Sequence, residues 1–202
     1  MDLGVTDKVK PLIDKVRQMV SDDIEPLDQE FHEEVGKHPS GSRWQFTERQ
    51  MEILTHLKSL AKERGLWNFW LTDSEKGYGL STVEFAYLGE EMGKVGIAAE
   101  VFNCSAPDTG NMEVLERVGT VDQKEKWLKP LLNGEIRSAF AMTEPGVASS
   151  DATNISTSAV LDGDEWVISG EKFYISGAGD ARCKIMIVMV VTDPDAPKHN
   201  RQ

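Results

Sequence analysis

The stretch FAMTEPGVASSD, residues 140–151, and the stretch GEKFYISG, residues 170–177, stand out from the rest of the sequence. The first stretch follows an apolar segment and places a threonine, a glycine and two serines in a loop that Pro145 stiffens. Such a loop offers backbone N–H groups and hydroxyls in one place, and these groups bind a polar ring edge or an anion. On the residues alone, an ordinary polar loop is the simpler interpretation.

The residues that precede the first stretch have helical periodicity. Between residues 9 and 20, apolar side chains recur every three or four positions, which marks one face of a helix. Residues 47–50 (TERQ) and 81–84 (STVE) each have the form of a capping box, which predicts two further helix starts. We therefore expect an all-helical N-terminal domain over residues 1–134.

The pattern becomes that of β-strands after residue 134. Short apolar or alternating segments predict strands at residues 136–142, 155–161, 165–168, 172–176 and 184–191. The turn Asp162-Gly163-Asp164 predicts a hairpin between the second and third of these segments. We expect an antiparallel, β-barrel-like middle domain over residues 135–202, and an α+β fold overall. The sheet is expected to be incomplete, because a strand as apolar as 185–191 needs partners on both edges and few remain.

Composition argues against several classes of protein. The chain has 202 residues, with 22 Lys and Arg against 34 Asp and Glu, for a net charge of −12. This negative net charge argues against a protein that binds nucleic acid through its overall charge, and against one that binds anionic membranes in that way. No apolar run approaches the roughly 18 residues of a membrane span. Two cysteines and the lack of a signal-peptide pattern at the start favour a cytoplasmic location, with mitochondrial or peroxisomal import as alternatives.

Several common catalytic motifs are missing from the sequence. The four histidines form no close pair and neither cysteine lies near the other, so no metal site is expected. No P-loop, strand-linked G-x-G-x-x-G or G-x-S-x-G motif occurs. Glu144 precedes Pro145 in a loop of the binding type, so we interpret it as structural rather than as a catalytic base.

The two stretches resemble signatures of the acyl-CoA dehydrogenase family. Residues 140–151 resemble its flavin-binding signature [YF]-x-x-T-E-P-x-x-(x)-S-D, and residues 170–177 resemble G-x-K-x-[WY]-[IV]-[TS]-[NG]. A predicted hairpin lies between them, as in the family, and the preceding helical residues fit the family's N-terminal domain. The longer loop at residues 147–151, with SGAG at 176–179, is most similar to the branch that comprises family members 10 and 11.

The resemblance implies an FAD-dependent oxidoreductase of fatty acid β-oxidation. Such an enzyme desaturates a fatty acyl-CoA thioester to a trans-2-enoyl-CoA and passes a hydride to flavin N5. Thr143 would donate to the N1 and C2=O edge of the flavin, Ser176 would reach toward N5, and Tyr174 would pack on the ring face. The other FAD contacts that the resemblance implies are Phe140, Met142, Ser149, Ser150 and Ile175, and Ser150 would also meet the CoA. The catalytic carboxylate is expected in a C-terminal domain that this chain lacks, so no catalytic residue is assigned here.

Two departures from the family pattern leave alternatives open. The loop is one residue longer than usual, so any of Ala148, Ser149 and Ser150 is a candidate for the FAD phosphate contact, and Tyr174 stands where Trp is usual. An acyl-CoA oxidase or an alkylation-response-type flavoprotein would share this fold with a different electron acceptor. A non-catalytic truncated chain that acts through partner binding is a third reading. Expected partners are a fatty acyl-CoA, an electron-transfer flavoprotein and, in the full-length form, further copies of the chain.

Overall fold

The computed structural model describes residues 3–71 and 77–201. The chain divides into two compact units, Met1–Gly134 and Glu135–Gln202. The first unit is helical and the second contains the strands, so the expected α+β architecture is confirmed. Within the described residues, no helix combines the length and the apolar character needed to cross a membrane.

The first unit contains eight α-helices among the described residues. They are α1 Lys10–Met19, α2 Glu25–Glu33, α3 Glu48–Glu63, α4 Thr82–Met92, α5 Ala98–Val101, α6 Asp108–Val118, α7 Val121–Gln123 and α8 Lys129–Leu132. Two π-helical turns, Val20–Ile24 and Lys124–Leu128, join α1 to α2 and α7 to α8. The chain therefore runs as continuous helix through each of these pairs.

The predicted helix starts at residues 47–50 and 81–84 are confirmed. The Thr47 hydroxyl accepts a hydrogen bond from the Gln50 amide, and the Gln50 side chain accepts one from the Thr47 amide. Ser81 and Glu84 exchange the same two bonds at the start of α4. These bonds satisfy amides that lack a partner in the first turn of a helix.

The core of the first unit is formed by the apolar faces of these helices. Its fully enclosed large side chains are Met19, Ile24, Ile53, Leu54, Leu57, Leu66, Phe69, Leu88 and Phe102. They come from α1, its π-helical extension, α3, α4 and the loops beside them. Burial of this set supplies the main driving force for folding of the unit.

The second unit is built on four short strands. They are β1 Arg137–Ala141, β2 Ser158–Asp162, β3 Glu165–Ser169 and β4 Cys183–Val188. Strands β2 and β3 pair antiparallel, with Val160 opposite Val167, and the turn passes through Gly163 at φ +62°. The predicted hairpin is therefore confirmed.

The other pairing differs from the expectation. Strand β1 pairs with β4 in parallel, with Ala139 opposite Met186, so the expected antiparallel arrangement is wrong for this pair. Parallel strands require a long crossover, and the hairpin β2–β3 lies within that connection. The described strands form two two-stranded sheets and not a closed barrel.

The strand expected at residues 172–176 is also wrong. These residues form bends and turns, and Tyr174 has a φ of +52°, which is left-handed and incompatible with a strand. The Phe173 amide donates to the carbonyl of Thr143 rather than to a neighbouring strand. The segment is therefore a loop, and it is hydrogen-bonded to the loop after β1.

Candidate functional site

The loop after β1 is organised around the carboxylate of Glu144. Oε2 accepts hydrogen bonds from the Ser156 amide at 2.8 Å and the Ser156 hydroxyl at 2.5 Å. Oε1 accepts from the Thr157 amide at 2.9 Å and from the Lys172 ammonium at 2.8 Å. The side chain of Glu144 is only 2% exposed. It therefore joins the loop to the chain before β2 and to the second sequence motif.

These bonds determine the protonation state of Glu144. Burial alone raises the pKa of a carboxyl group, because it penalises the charged form. Hydrogen bonds from Lys172, Ser156 and Thr157 outweigh that penalty and hold the pKa of Glu144 well below its usual range. Glu144 is therefore an ionised structural anchor, which agrees with its interpretation from the sequence.

Lys172 brings the two sequence motifs together. Its Nζ donates to Glu144 Oε1 and, at 3.0 Å, to the carbonyl of Met142. The next residue, Phe173, donates its amide to the carbonyl of Thr143 at 2.9 Å. Met142, Thr143 and Glu144 in the loop after β1 thus accept hydrogen bonds from Lys172 and Phe173 in the second motif.

Two glycines allow the backbone conformation of the second loop, residues 170–177. Gly170 has φ +153°, and a Cβ there would lie 2.4 Å from Oγ1 of Thr157. Gly177 has φ +85°, and a Cβ there would lie 3.2 Å from the carbonyl of Ser138 in β1. Both positions require a backbone that approaches its neighbours without a side chain.

Four of the residues assigned to FAD from the sequence have their side chains at the surface. Thr143, Tyr174 and Ser176 are exposed, and Phe140 is 36% exposed. Within the described part of the chain, the hydroxyls of Thr143 and Ser176 have no protein hydrogen-bond partner. The Tyr174 ring stacks obliquely on Phe173, with 4.0 Å between ring centroids.

The remaining assigned residues occupy different environments. Met142 and Ile175 are half-buried. Ser149 is buried, and its Oγ accepts a hydrogen bond from the amide of Glu144 at 2.9 Å. Ser150 is exposed, as is Ala148. The hydroxyl that remains open to solvent in this stretch of the loop is therefore that of Ser150.

Sequence reasoning missed the partner residues of Glu144. In the sequence, Lys172 is recognisable only as a position of the second motif, and Ser156 and Thr157 lie in a predicted strand. Two features of the sequence could have indicated this contact. Lys172 follows two predicted strands, and Glu144 precedes a proline. A buried carboxylate needs such a cation and such N–H donors.

The comparisons with known proteins cover both units. Residues 6–135 match the model of the acyl-CoA dehydrogenase N-terminal domain, and residues 139–202 match that of the acyl-CoA dehydrogenase middle domain. The chain belongs to the acyl-CoA dehydrogenase family. The expected similarity to the branch of members 10 and 11 is confirmed as well.

Individual relatives show the extent of the likeness. The chain is 47% identical over 204 aligned residues to acyl-CoA dehydrogenase family member 10 of Mus musculus, covering 98% of this chain and 18% of that protein. A structure from Mycobacterium abscessus described as an acyl-CoA dehydrogenase has 45% identity and a TM-score of 0.87, covering 98% of this chain and 49% of the other. An acyl-CoA dehydrogenase from Bacillus anthracis, solved in complex with FAD, shares the fold at 23% identity and a TM-score of 0.62, covering 93% of this chain and 30% of the other. The chain thus spans half or less of the length of these relatives.

The residues that the structure describes offer no evident set of metal ligands. Across residues 3–71 and 77–201, no group of three His, Cys, Asp or Glu side chains is arranged to hold a metal ion. The chemistry of the exposed groups is that of hydroxyls, aromatic rings and backbone amides.

Proposed function

We propose that this chain contributes the helical domain and the flavin-edge loops of an FAD-dependent acyl-CoA dehydrogenase. The observation that carries the proposal is the hydrogen bond from the Phe173 amide to the Thr143 carbonyl, which joins the two flavin motifs. It places both motifs at one surface of the second unit. The family relationship and the FAD-bound relative support the cofactor.

The exposed groups fit the polar edge of a flavin. Thr143 and Ser176 offer free hydroxyls, which donate to or accept from ring nitrogens and carbonyl oxygens. Phe140 and Tyr174 offer apolar ring surface for contact with a planar heterocycle. When bound, FAD supplies the acceptor for a hydride, and the protein supplies orientation and electrostatics.

Each residue has a defined task in this proposal. Thr143 donates a hydrogen bond to the N1 and C2=O edge, where negative charge develops on reduction. Ser176 hydrogen-bonds near N5, and Tyr174 covers one ring face. Ser150 is the hydroxyl available to the FAD phosphate and the CoA, because it is exposed while Ser149 is buried and accepts a hydrogen bond from the Glu144 amide.

The proposed reaction is the α,β-desaturation of a fatty acyl-CoA, with an electron-transfer flavoprotein as the acceptor of electrons. The residues of the two loops are equally compatible with oxygen as the acceptor, which defines the oxidase alternative. Anaerobic reduction of the full-length enzyme by acyl-CoA, followed by timed exposure to air, separates the two. Slow reoxidation supports the dehydrogenase, and fast reoxidation supports the oxidase.

The experiment that tests FAD binding uses the variant T143A/S176A. Fluorescence titration with FAD should show an affinity reduced about tenfold or more, because two hydrogen bonds to the ring are lost. The matched control is Ser158→Ala, which removes a half-buried hydroxyl of the same unit outside both motifs, where it donates to the Ser169 carbonyl at 3.5 Å. Unchanged affinity of the double variant would exclude the assignment.

A further inference from the structure

One side chain, that of Lys172, bonds to both sequence neighbours of Thr143. The ammonium of Lys172 donates to the Met142 carbonyl, which precedes Thr143, and to the Glu144 carboxylate, which follows it. The carbonyl of Thr143 itself accepts from the Phe173 amide. Thr143 is therefore fixed through its two neighbours and its own backbone, while its hydroxyl stays free.

The ion pair between Lys172 and Glu144 is well shielded from water. The side chain of Glu144 is 2% exposed and that of Lys172 is 12% exposed. A charge pair in such surroundings interacts more strongly and is screened less by salt than a surface pair. The second oxygen of Glu144 is bonded to Ser156, so the pair is also fixed to the chain that leads into β2.

The second loop is anchored at both ends. Lys172 and Phe173 hold its start against the first loop, and Gly177 lies against the Ser138 carbonyl at its end. Ser176 lies between these anchors, after the left-handed Tyr174. Loss of the first anchor would let Ser176 move relative to Thr143 without unfolding the hairpin β2–β3.

We infer that Lys172 and Glu144 are positioning residues, which set the arrangement of the Thr143 and Ser176 hydroxyls toward the flavin. Both act through the residues beside them, since their own charged groups are occupied inside the protein. The inference rests on the proposed function, because it concerns the same FAD-binding surface.

The test compares four variants by FAD titration and by hydrogen exchange of backbone amides. Lys172→Met removes the ammonium, and Lys172→Arg keeps a cation. The double variant E144Q/K172M removes both charges, which avoids leaving one of them buried and unpaired. Lys184→Met is the matched control, because the ammonium of Lys184 is exposed and, among the described residues, donates only to the Ala181 carbonyl.

The positioning role predicts a selective loss. In Lys172→Met and in the double variant, FAD affinity should fall about tenfold. Exchange of the Phe173 amide should accelerate, while the amides of Val160 and Val167, which face each other in the hairpin, keep their protection. Lys172→Arg should recover most of the affinity, and Lys184→Met should match the wild type. If Lys172→Met alone unfolds the unit, the double variant provides the same comparison.

The results that would contradict the positioning role differ from those that would contradict the proposed FAD site. Wild-type FAD affinity in the double variant, together with weak binding by T143A/S176A, would overturn the positioning role alone. Wild-type affinity in both would overturn the proposed FAD site itself. An equal loss of protection at Phe173 and throughout the hairpin would show a purely structural role and would also overturn the inference.

Discussion

The Nζ atom of Lys172 lies 2.8 Å from Oε1 of Glu144, although the two residues are 28 positions apart in the sequence. This contact joins the two motifs that place the chain in the acyl-CoA dehydrogenase family. It also explains why residues 172–176 form a loop, because Lys172 and Phe173 bond to the first loop instead of to a strand.

Glu144→Gln should destabilise the second unit by about 3 kcal/mol at pH 7. The substitution leaves the ammonium of Lys172 buried without its counter-charge, which is the costly way to break a buried pair. Urea unfolding followed by circular dichroism of the strand signal measures the effect. The double variant E144Q/K172M should lose less stability than the sum of the two single variants, and additivity would contradict a direct interaction.

The same carboxylate predicts a pH dependence of stability. Because the pKa of Glu144 is lowered on folding, its contribution is fully present above the ordinary Glu pKa of about 4.3 and is lost as the pH falls toward the lowered value. The stability difference between wild type and Glu144→Gln should therefore shrink below about pH 4. A difference that stays constant from pH 7 to pH 3 would show that folding does not lower the pKa of Glu144.

Gly170→Ala should cost roughly 2 kcal/mol or more of stability. The new Cβ would lie 2.4 Å from Thr157 Oγ1 and 2.8 Å from Thr157 Cα, on a backbone with φ +153°. Gly146→Ala is the matched control in the first loop, because a Cβ there has no neighbour within 4 Å. Thermal unfolding should separate the two variants clearly, and similar melting temperatures would be inconsistent with the described path of the second loop.

Local signals in the sequence predicted much of the helical unit. Thr47 with Gln50 and Ser81 with Glu84 are close in sequence, so the capping boxes depend on no distant contact. The hairpin at Gly163 is equally local, since its turn residues lie between two short apolar runs. Patterns of this range are sufficient to place such elements.

The sequence was less informative where distant residues decide the structure. The parallel pairing of β1 with β4 depends on how the intervening chain returns, which no periodicity reveals. Residues 172–176 have the composition of a strand, but the left-handed backbone of Tyr174 and the ion pair to Glu144 override that preference. The buried role of Ser149 likewise depends on its bond to the Glu144 amide.

Cys104 should be unreactive toward iodoacetamide in the folded protein. Burial raises the pKa of its thiol to about 12, against the weaker effect of backbone hydrogen bonds from Phe69 and Trp70. Since the thiolate is the reacting form, alkylation at pH 8 should be at least about 100-fold slower than in urea. The measurement uses the Cys183→Ser variant and mass spectrometry. Equal rates in folded and unfolded protein would contradict the raised pKa of the half-buried Cys104.

These 202 residues alone should not oxidise acyl-CoA. Abstraction of an α-proton needs a carboxylate of suitable basicity, and Glu144 is a poor base because its pKa is lowered and its oxygens are engaged. Flavin bleaching with excess FAD and acyl-CoA thioesters of several chain lengths measures turnover. Activity above a flavin-only control would indicate a base within this chain, and Glu144 would be the first carboxylate to replace.

The central claim is that the loops at residues 140–151 and 170–177 bind the flavin. Nuclear magnetic resonance of the ¹⁵N-labelled chain, titrated with FAD, tests it most directly because it locates the binding surface residue by residue. The largest shifts of amide resonances should occur at Thr143, Tyr174 and Ser176. Saturable shifts confined to residues 1–134, or no shift in either loop at millimolar FAD, would contradict it.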